Sequence, residues 1–437
     1  MNHTHPNLAT HKGVLALSTL VLAVIVGGGA MYIESEPAFS LNSIQSQLAR
    51  PLLALEFASI EDAASVSGKN ALSIPVLTYH RIVSDSSDVS NVTYSRFKDH
   101  METLKRAGWE TVTLAEFEAF MRGQQTIPER SFLLTFDDGA KDSFYPVDPI
   151  LEALHYEAVN FIIVESSEIH RSVYYLNPKE IARMISSGRW SIGSHSFDGH
   201  RPYAVNAEGG TGIFFADRIW NTEKSRLETP QEFTERVRND LVRADKALEE
   251  KYKVPINSFA FPLGNETGIN GANNFPEGAS VTERIASSIY EFGFVQLANQ
   301  TYTANFPRTS LSTNAQTVAE TFLVYRVHVD HDWDGTRILG ILENSLPKTI
   351  PYDDNFSKNQ GWLPAWGSVS IGRNNFVLRA NEDSTSASVF LDGTALWDNY
   401  IYDAALNWQR GHVIMLADVI NSGTYRACVF SPGLIRI

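Results

Sequence analysis

Phe132-Leu-Leu-Thr-Phe-Asp137-Asp138-Gly139 is an apolar run that stops abruptly at two adjacent carboxylates and a glycine. It reads as a buried strand that delivers two acids to its C-terminal end. Neighbouring residues point in different directions, so one carboxylate can hold a cation while the other stays free as a base, its charge favoured by that cation. A polar turn closing a strand has the same composition, so the reading needs a second feature. Trp190-Ser-Ile-Gly-Ser-His195-Ser-Phe-Asp-Gly-His200 supplies one, a further strand that ends in a histidine with a second histidine five residues on. With Gly199 letting the chain fold back, both imidazoles can converge on one ion. Two histidines and one aspartate make a three-ligand set that leaves metal positions open for water and substrate.

Outward from these two strands, short apolar runs recur at Val76–Tyr79, Val159–Val164, Phe259–Phe261 and Phe294–Leu297. Helical periodicity separates them at Tyr94–Ala107, Leu114–Arg122, Pro149–Leu154, Pro178–Ser187, Pro230–Tyr252 and Val281–Phe292, and Pro178 and Pro230 stand where helix starts favour proline. Strand–helix alternation predicts a parallel sheet covered by helices, either a (β/α) barrel or an open doubly wound sheet. Both place chemistry at the C-terminal ends of strands. Arg201 to Thr229 lacks periodicity and reads as a long loop that covers the site. From Pro351 the texture changes to short alternating runs broken by Gly, Asn and Asp, which predicts a small all-β sandwich over 351–437, a candidate carbohydrate-binding domain whose tryptophans read first as core.

The chain has 437 residues, and 36 basic against 50 acidic side chains give a net charge of −14. An acidic surface without a basic stripe excludes nucleic acid as a partner. Cys428 is the single cysteine, so intramolecular disulfides, Cys-rich zinc sites and iron–sulfur clusters are excluded. Gly13–Ile33 is an uncharged apolar run of bilayer-spanning length, preceded by Lys12 and followed by Glu34 and Glu36. The expected organisation is a cytoplasmic N-terminus (1–12), a membrane anchor (13–33), a stalk (34–74), an extracytoplasmic α/β domain (75–350) and the β-sandwich. Oligomeric state is not readable.

TFDDG followed by HSFDGH resembles the polysaccharide deacetylase (NodB homology) family of carbohydrate esterases, and PVLTYHRI and Phe259-Ala-Phe-Pro-Leu-Gly264 are similar to its first and later strands. The resemblance covers roughly Pro75 to Thr309 and is strongest to the branch that de-N-acetylates poly-N-acetylglucosamine. It implies a distorted (β/α) barrel in which Asp138, His195 and His200 hold a divalent metal, zinc by default with cobalt or nickel as alternatives. It further implies Asp137 as general base and the Leu263 N–H as oxyanion donor, with Thr135 and Ser196 orienting their neighbours. Phe197, Tyr145, Pro262 and His80 are the expected substrate-binding residues, while Trp190 reads as core. The family's arginine before its Pro-aromatic pair is absent, and Arg308 is the expected substitute beside Asp137. The segment that usually supplies a general acid has no clean match, although His328 and His331 are candidates. The implied activity is removal of acetyl groups from an acetylated polysaccharide. O-acetyl esterase action on xylan or matrix polymer, and a non-catalytic binding or assembly role, are the alternatives.

Overall fold

The computed structural model describes residues 41–60, 68–85, 88, 90–168, 173–263, 274–296, 304–310, 322–381, 385–394, 396–397, 400–405, 412–421, 424–431 and 434–436. Seven strands run parallel: β1 (Val76–Tyr79), β2 (Ser131–Phe136), β3 (Ala158–Ile162), β4 (Trp190–Ser194), β5 (Ser258–Ala260), β6 (Phe292–Gln296) and β7 (Leu323–His328). Each pairs with the next in chain order. β1 pairs with both β2 and β7, through Thr78 opposite Thr135 and opposite His328, and this closes the barrel. Closure decides between the two architectures that alternation allowed. β1, β2, β3 and β5 are buried along their whole length, as strands covered on both faces must be.

Six of these strands match the sequence pattern within two or three residues; β7 does not appear in it. Its sequence, Leu-Val-Tyr-Arg-Val-His, carries a charge in mid-strand and reads as surface until the arginine has a buried partner.

Among the described residues, the α-helices longer than five residues are α1 (Leu41–Phe57), α2 (Tyr94–Arg106), α3 (Leu114–Met121), α4 (Asp148–Leu154), α5 (Pro178–Ser186), α6 (Pro230–Tyr252), α7 (Gly278–Ala286) and α8 (Gly335–Ser345). Asn177 and Thr229 close capping boxes with Glu180 and Glu232, and Pro178 and Pro230 occupy the first helical turn. α3 packs Phe117 against Phe292 and Phe294, while its Glu118 accepts from Ser258 Oγ and Asn257 Nδ2 at the start of β5. This helix therefore plugs the N-terminal end of the barrel, leaving chemistry to the opposite mouth.

Three expectations change. Leu41–Phe57, expected within a stalk, is a docked helix: Leu53 and Phe57 are buried, and Arg50 pairs with Asp148 and Glu152 of α4. The segment 201–229, expected as an open loop, forms two short hairpins and buries Phe214 and Phe215. The compact unit that holds the barrel runs on through Tyr352–Leu396 and includes the antiparallel pairs Trp362–Trp366 with Ser388–Leu391 and Ser368–Gly372 with Asn375–Arg379. Lys348 N donates to Gly393 O at 2.8 Å and ties that part to the end of α8. A second unit, Thr349–Pro351 with Trp397–Ile437, contains an antiparallel three-stranded sheet built from Val413–Asn421, Thr424–Ser431 and Leu434–Arg436. The apolar run Gly13–Ile33 lies outside the described residues; among these, no helix is long and apolar enough to cross a membrane.

Candidate metal centre

Asp137 and Asp138 follow β2, His195 follows β4, and His200 returns on the loop after it. Asp138 and Ser196 both adopt left-handed backbone, φ 74° and 78°, a conformation that side chains with a Cβ take only when surroundings over-determine it. The turn at Ser196 is pinned by Asp240 of α6, whose buried carboxylate accepts from Phe197 N at 3.0 Å and Asp198 N at 2.9 Å. Gly199 is needed for close approach, since a Cβ there would stand 2.5 Å from the Phe215 ring.

His195 Nδ1 lies 2.8 Å from Ala260 O at the end of β5, a bond in which the ring nitrogen donates and Nε2 is left bare. That Nε2 is 3.5 Å from Asp138 Oδ1, and His200 Nε2 is 3.1 Å from the same oxygen. Asp138 Oδ1 is buried, and none of these contacts has hydrogen-bond alignment. The three ligand atoms lie within 4.8 Å of one another. A buried carboxylate oxygen without a hydrogen bond, facing two imidazole nitrogens, is a donor set that a tetrahedral or five-coordinate divalent cation fits. Burial pushes the Asp138 carboxyl up, but the imidazoles of His195, His200 and His80 outweigh it and hold it well below the carboxylate range. Burial likewise depresses His195, yet the charges of Asp137 and Asp138 raise it overall; for His200, burial and the neighbouring His195 lower it.

Asp137 is 2% exposed and is gripped by Arg326 of β7, with Nη1 to Oδ1 at 2.6 Å and Nη2 to Oδ2 at 2.7 Å. Arg326 is fully buried, with Nη1 also donating to Thr78 Oγ1 at 3.0 Å and its guanidinium over the Phe161 ring. Burial alone would push Asp137 up; the Arg326 charge and fork outweigh it and hold the carboxyl below its usual value. This ion pair replaces the expectation for Arg308. Arg308 instead pairs with Glu291 and stacks on Phe292, at the start of β6 and hence at the plugged end of the barrel. The signal for Arg326 was present as a lone charge within an apolar hexapeptide, since a buried arginine requires an acid.

His80, directly after β1, sits with its ring 5.4 Å from that of His328 at the end of β7, and its Nδ1 is buried without a partner. The His80 imidazole is among the groups that hold the Asp137 and Asp138 carboxyls down. His328 also contacts Asp330 through Nδ1 at 3.2 Å, whereas His331 Nδ1 is buried without a partner. Thr135 Oγ1 donates to Leu77 O at 2.9 Å and lies 3.5 Å from Arg326 Nη1, which fits its orienting role. Ser196 Oγ is buried with no hydrogen bond. Leu263 is left-handed, φ 62°, and 42% exposed beyond β5.

Three expected substrate contacts are structural. Phe197 is buried beneath Arg243, whose guanidinium carbon stands 3.6 Å from its ring centroid. Tyr145 is buried and donates to Glu180 Oε1 at 2.6 Å. Pro262 is buried as well. Trp190 is core, as expected, with Nε1 donating to Asp148 Oδ1 at 2.9 Å. Large aromatic area is worth more inside a core than on a groove, which is why these rings were drawn inward.

Residues 124–274 match the family model for polysaccharide deacetylase. That stretch of the chain is thus similar to a polysaccharide deacetylase domain. Over 207 residues it is 26% identical to a poly-beta-1,6-N-acetyl-D-glucosamine N-deacetylase of Escherichia coli (strain K12), covering 44% of this chain and 31% of that protein. A Staphylococcus aureus (strain MRSA252) protein of the same name is 25% identical over 204 residues, covering 43% of this chain and 63% of its own. The chain thus aligns with less than two thirds of either relative's length. Among solved structures, a de-N-acetylase from Aggregatibacter actinomycetemcomitans superposes with a TM-score of 0.49 at 18% identity, over 62% of this chain and 99% of the other. IcaB from Ammonifex degensii does so at 0.43 and 21%, over 59% and 91%.

Proposed function

We propose that the protein is a metal-dependent hydrolase that removes N-acetyl groups from N-acetylglucosamine units of an exopolysaccharide. The observation that carries this reading is the charged, Arg326-gripped Asp137 adjoining the Asp138–His195–His200 ligand set at the open mouth of the barrel. Asp138, His195 and His200 would hold a divalent cation, zinc by default, which when bound would supply Lewis acidity toward an acetyl carbonyl and a water. Asp137 is the base. Arg326 keeps it ionised, and each carboxylate oxygen retains a further lone pair with which to take the water's proton. His195 is held by Ala260 in the tautomer that presents Nε2 to the cation. The exposed Leu263, directly after the buried Pro262, is the residue whose N–H would meet the developing oxyanion. His80, whose ring lies 5.4 Å from that of His328, would bind the sugar or meet the leaving amine.

The proposed setting is extracytoplasmic, with Gly13–Ile33 as the membrane anchor; flotation of the full chain with liposomes tests the anchor. Acetate release from β-1,6-linked N-acetylglucosamine oligomers, with chelator and with restored zinc, tests the activity. Chelator-sensitive release is expected. Release from acetylated xylan but not from the amide oligomers would transfer the reading to an O-acetyl esterase.

A further inference from the structure

Tyr174 and Tyr175 are half-buried tyrosines whose rings meet edge to face at a centroid distance of 4.6 Å. Their backbone is stitched to the chain that immediately follows the two catalytic-site aspartates. Lys141 N donates to Tyr174 O at 2.8 Å, Leu176 N donates to Gly139 O at 2.9 Å, and Tyr175 bridges Ala140. Tyr175 is therefore locked beside a residue only two positions beyond Asp138. Arg81, the neighbour of His80 after β1, lies 4.8 Å over the Tyr174 ring, and its Nη2 is fixed by Asp142 Oδ2 at 2.6 Å.

Both rings are thus immobilised from behind while remaining partly open to solvent. The aromatics expected to line the sugar groove, Phe197 and Tyr145, have gone into the core. Pre-ordered, half-exposed aromatic faces next to a hydrolytic site suit a ligand with flat C–H surfaces and a polar rim, because they lose little rotamer freedom on binding. Pyranose rings have that chemistry. The Arg81 charge beside the pair is ion-paired with Asp142.

We infer that Tyr174 and Tyr175, steadied by Arg81, form a carbohydrate subsite that stacks on a pyranose ring flanking the acetylated sugar at Asp137 and Asp138. The inference rests on the deacetylase reading. It assigns the protein a preference for chains over single sugars, since a monosaccharide in the reaction position leaves the platform empty.

The test uses the full chain loaded with zinc and compares N-acetylglucosamine with its β-1,6-linked hexamer, reading acetate release and, by calorimetry, hexamer binding. Tyr174→Ala and Tyr175→Ala are expected to raise hexamer KM and Kd by roughly 2–10-fold each. The monosaccharide KM, kcat and zinc affinity should hold, and Tyr174→Phe should retain hexamer affinity. Unchanged hexamer KM and Kd in both alanine variants overturns the subsite. So does a parallel loss of kcat and zinc affinity, which would make the tyrosines props for the Asp138 turn. A wild-type protein that releases no acetate overturns the deacetylase reading, while hexamer binding still decides the platform; no hexamer binding by the wild type overturns both.

Discussion

Replacing Arg326 with methionine tests the electrostatic logic of the site. Arg326 and Asp137 form a two-pronged ion pair at 2.6 and 2.7 Å, with side chains 0% and 3% exposed, so water cannot take over either partner. Arg326→Met removes the cation, fills most of its volume and leaves a buried carboxylate alone. Breaking such a pair from one side costs about 3–5 kcal/mol, and a Tm fall of roughly 6–20 °C follows for a unit of this size. In the wild type the folded carboxyl lies below its unfolded value. Its stabilising contribution is therefore complete above the unfolded pKa and is lost as pH falls through the folded one.

In the variant the upward push of burial loses its largest opponent and is countered only by the more weakly acting His195 and His80. The Asp137 carboxyl then moves up, so the stability gap between wild type and variant opens as pH climbs through the unfolded carboxyl's range and closes in acid. Activity follows the same charge. The acid limb of the kcat/KM profile should move up, with a loss of up to roughly 100-fold at pH 7 that recovers as pH is raised. The assay is a pH series of acetate release and thermal melts on zinc-saturated protein. An acid limb and a Tm that both stay where they are would refute the assignment of Arg326 as the group that keeps the base ionised.

Asp138→Ala should abolish tight zinc binding, read by competition with a chromogenic chelator, because two imidazoles alone do not make the site. Asp137→Asn should keep the metal and lose roughly 100-fold or more in turnover; unchanged turnover would remove it as base. Arg308→Met should leave the pH profile unmoved, since its partner Glu291 lies at the plugged end. Asp240→Asn should weaken zinc affinity, because one of the two N–H bonds that shape the His195–His200 loop loses its acceptor. Burial pushes the Asp240 carboxyl up to about 6. A raised folded pKa contributes stability below the unfolded value and loses it as pH climbs, so the stability difference should shift toward the non-titrating variant by about 3 kcal/mol between pH 3 and pH 7. A pH-independent difference in melting would contradict that.

Local periodicity determined most of the frame of this protein. Apolar runs too short for helices, separated by capped helical segments beginning at Pro178 and Pro230, can only be strands of a covered parallel sheet. Residues directly after those runs, Asp137, Asp138 and His195, had to emerge at one end of it. A charge or imidazole at a strand end is a local fact, and the ligand set was legible for that reason. Tertiary structure decided what depends on pairing between distant strands. Closure of β1 against β7 made a barrel of the sheet and carried Arg326 to Asp137, 189 positions away in sequence, whereas Arg308, equally basic and near a strand, was sent to the opposite end. The same distance in sequence hid the aromatic wall. Phe197, Tyr145 and Pro262 were drawn inward because burial rewards large apolar surface wherever a core can accept it, and Tyr174 and Tyr175 came to the mouth through a backbone bridge to Ala140 that no pattern in their own segment announces.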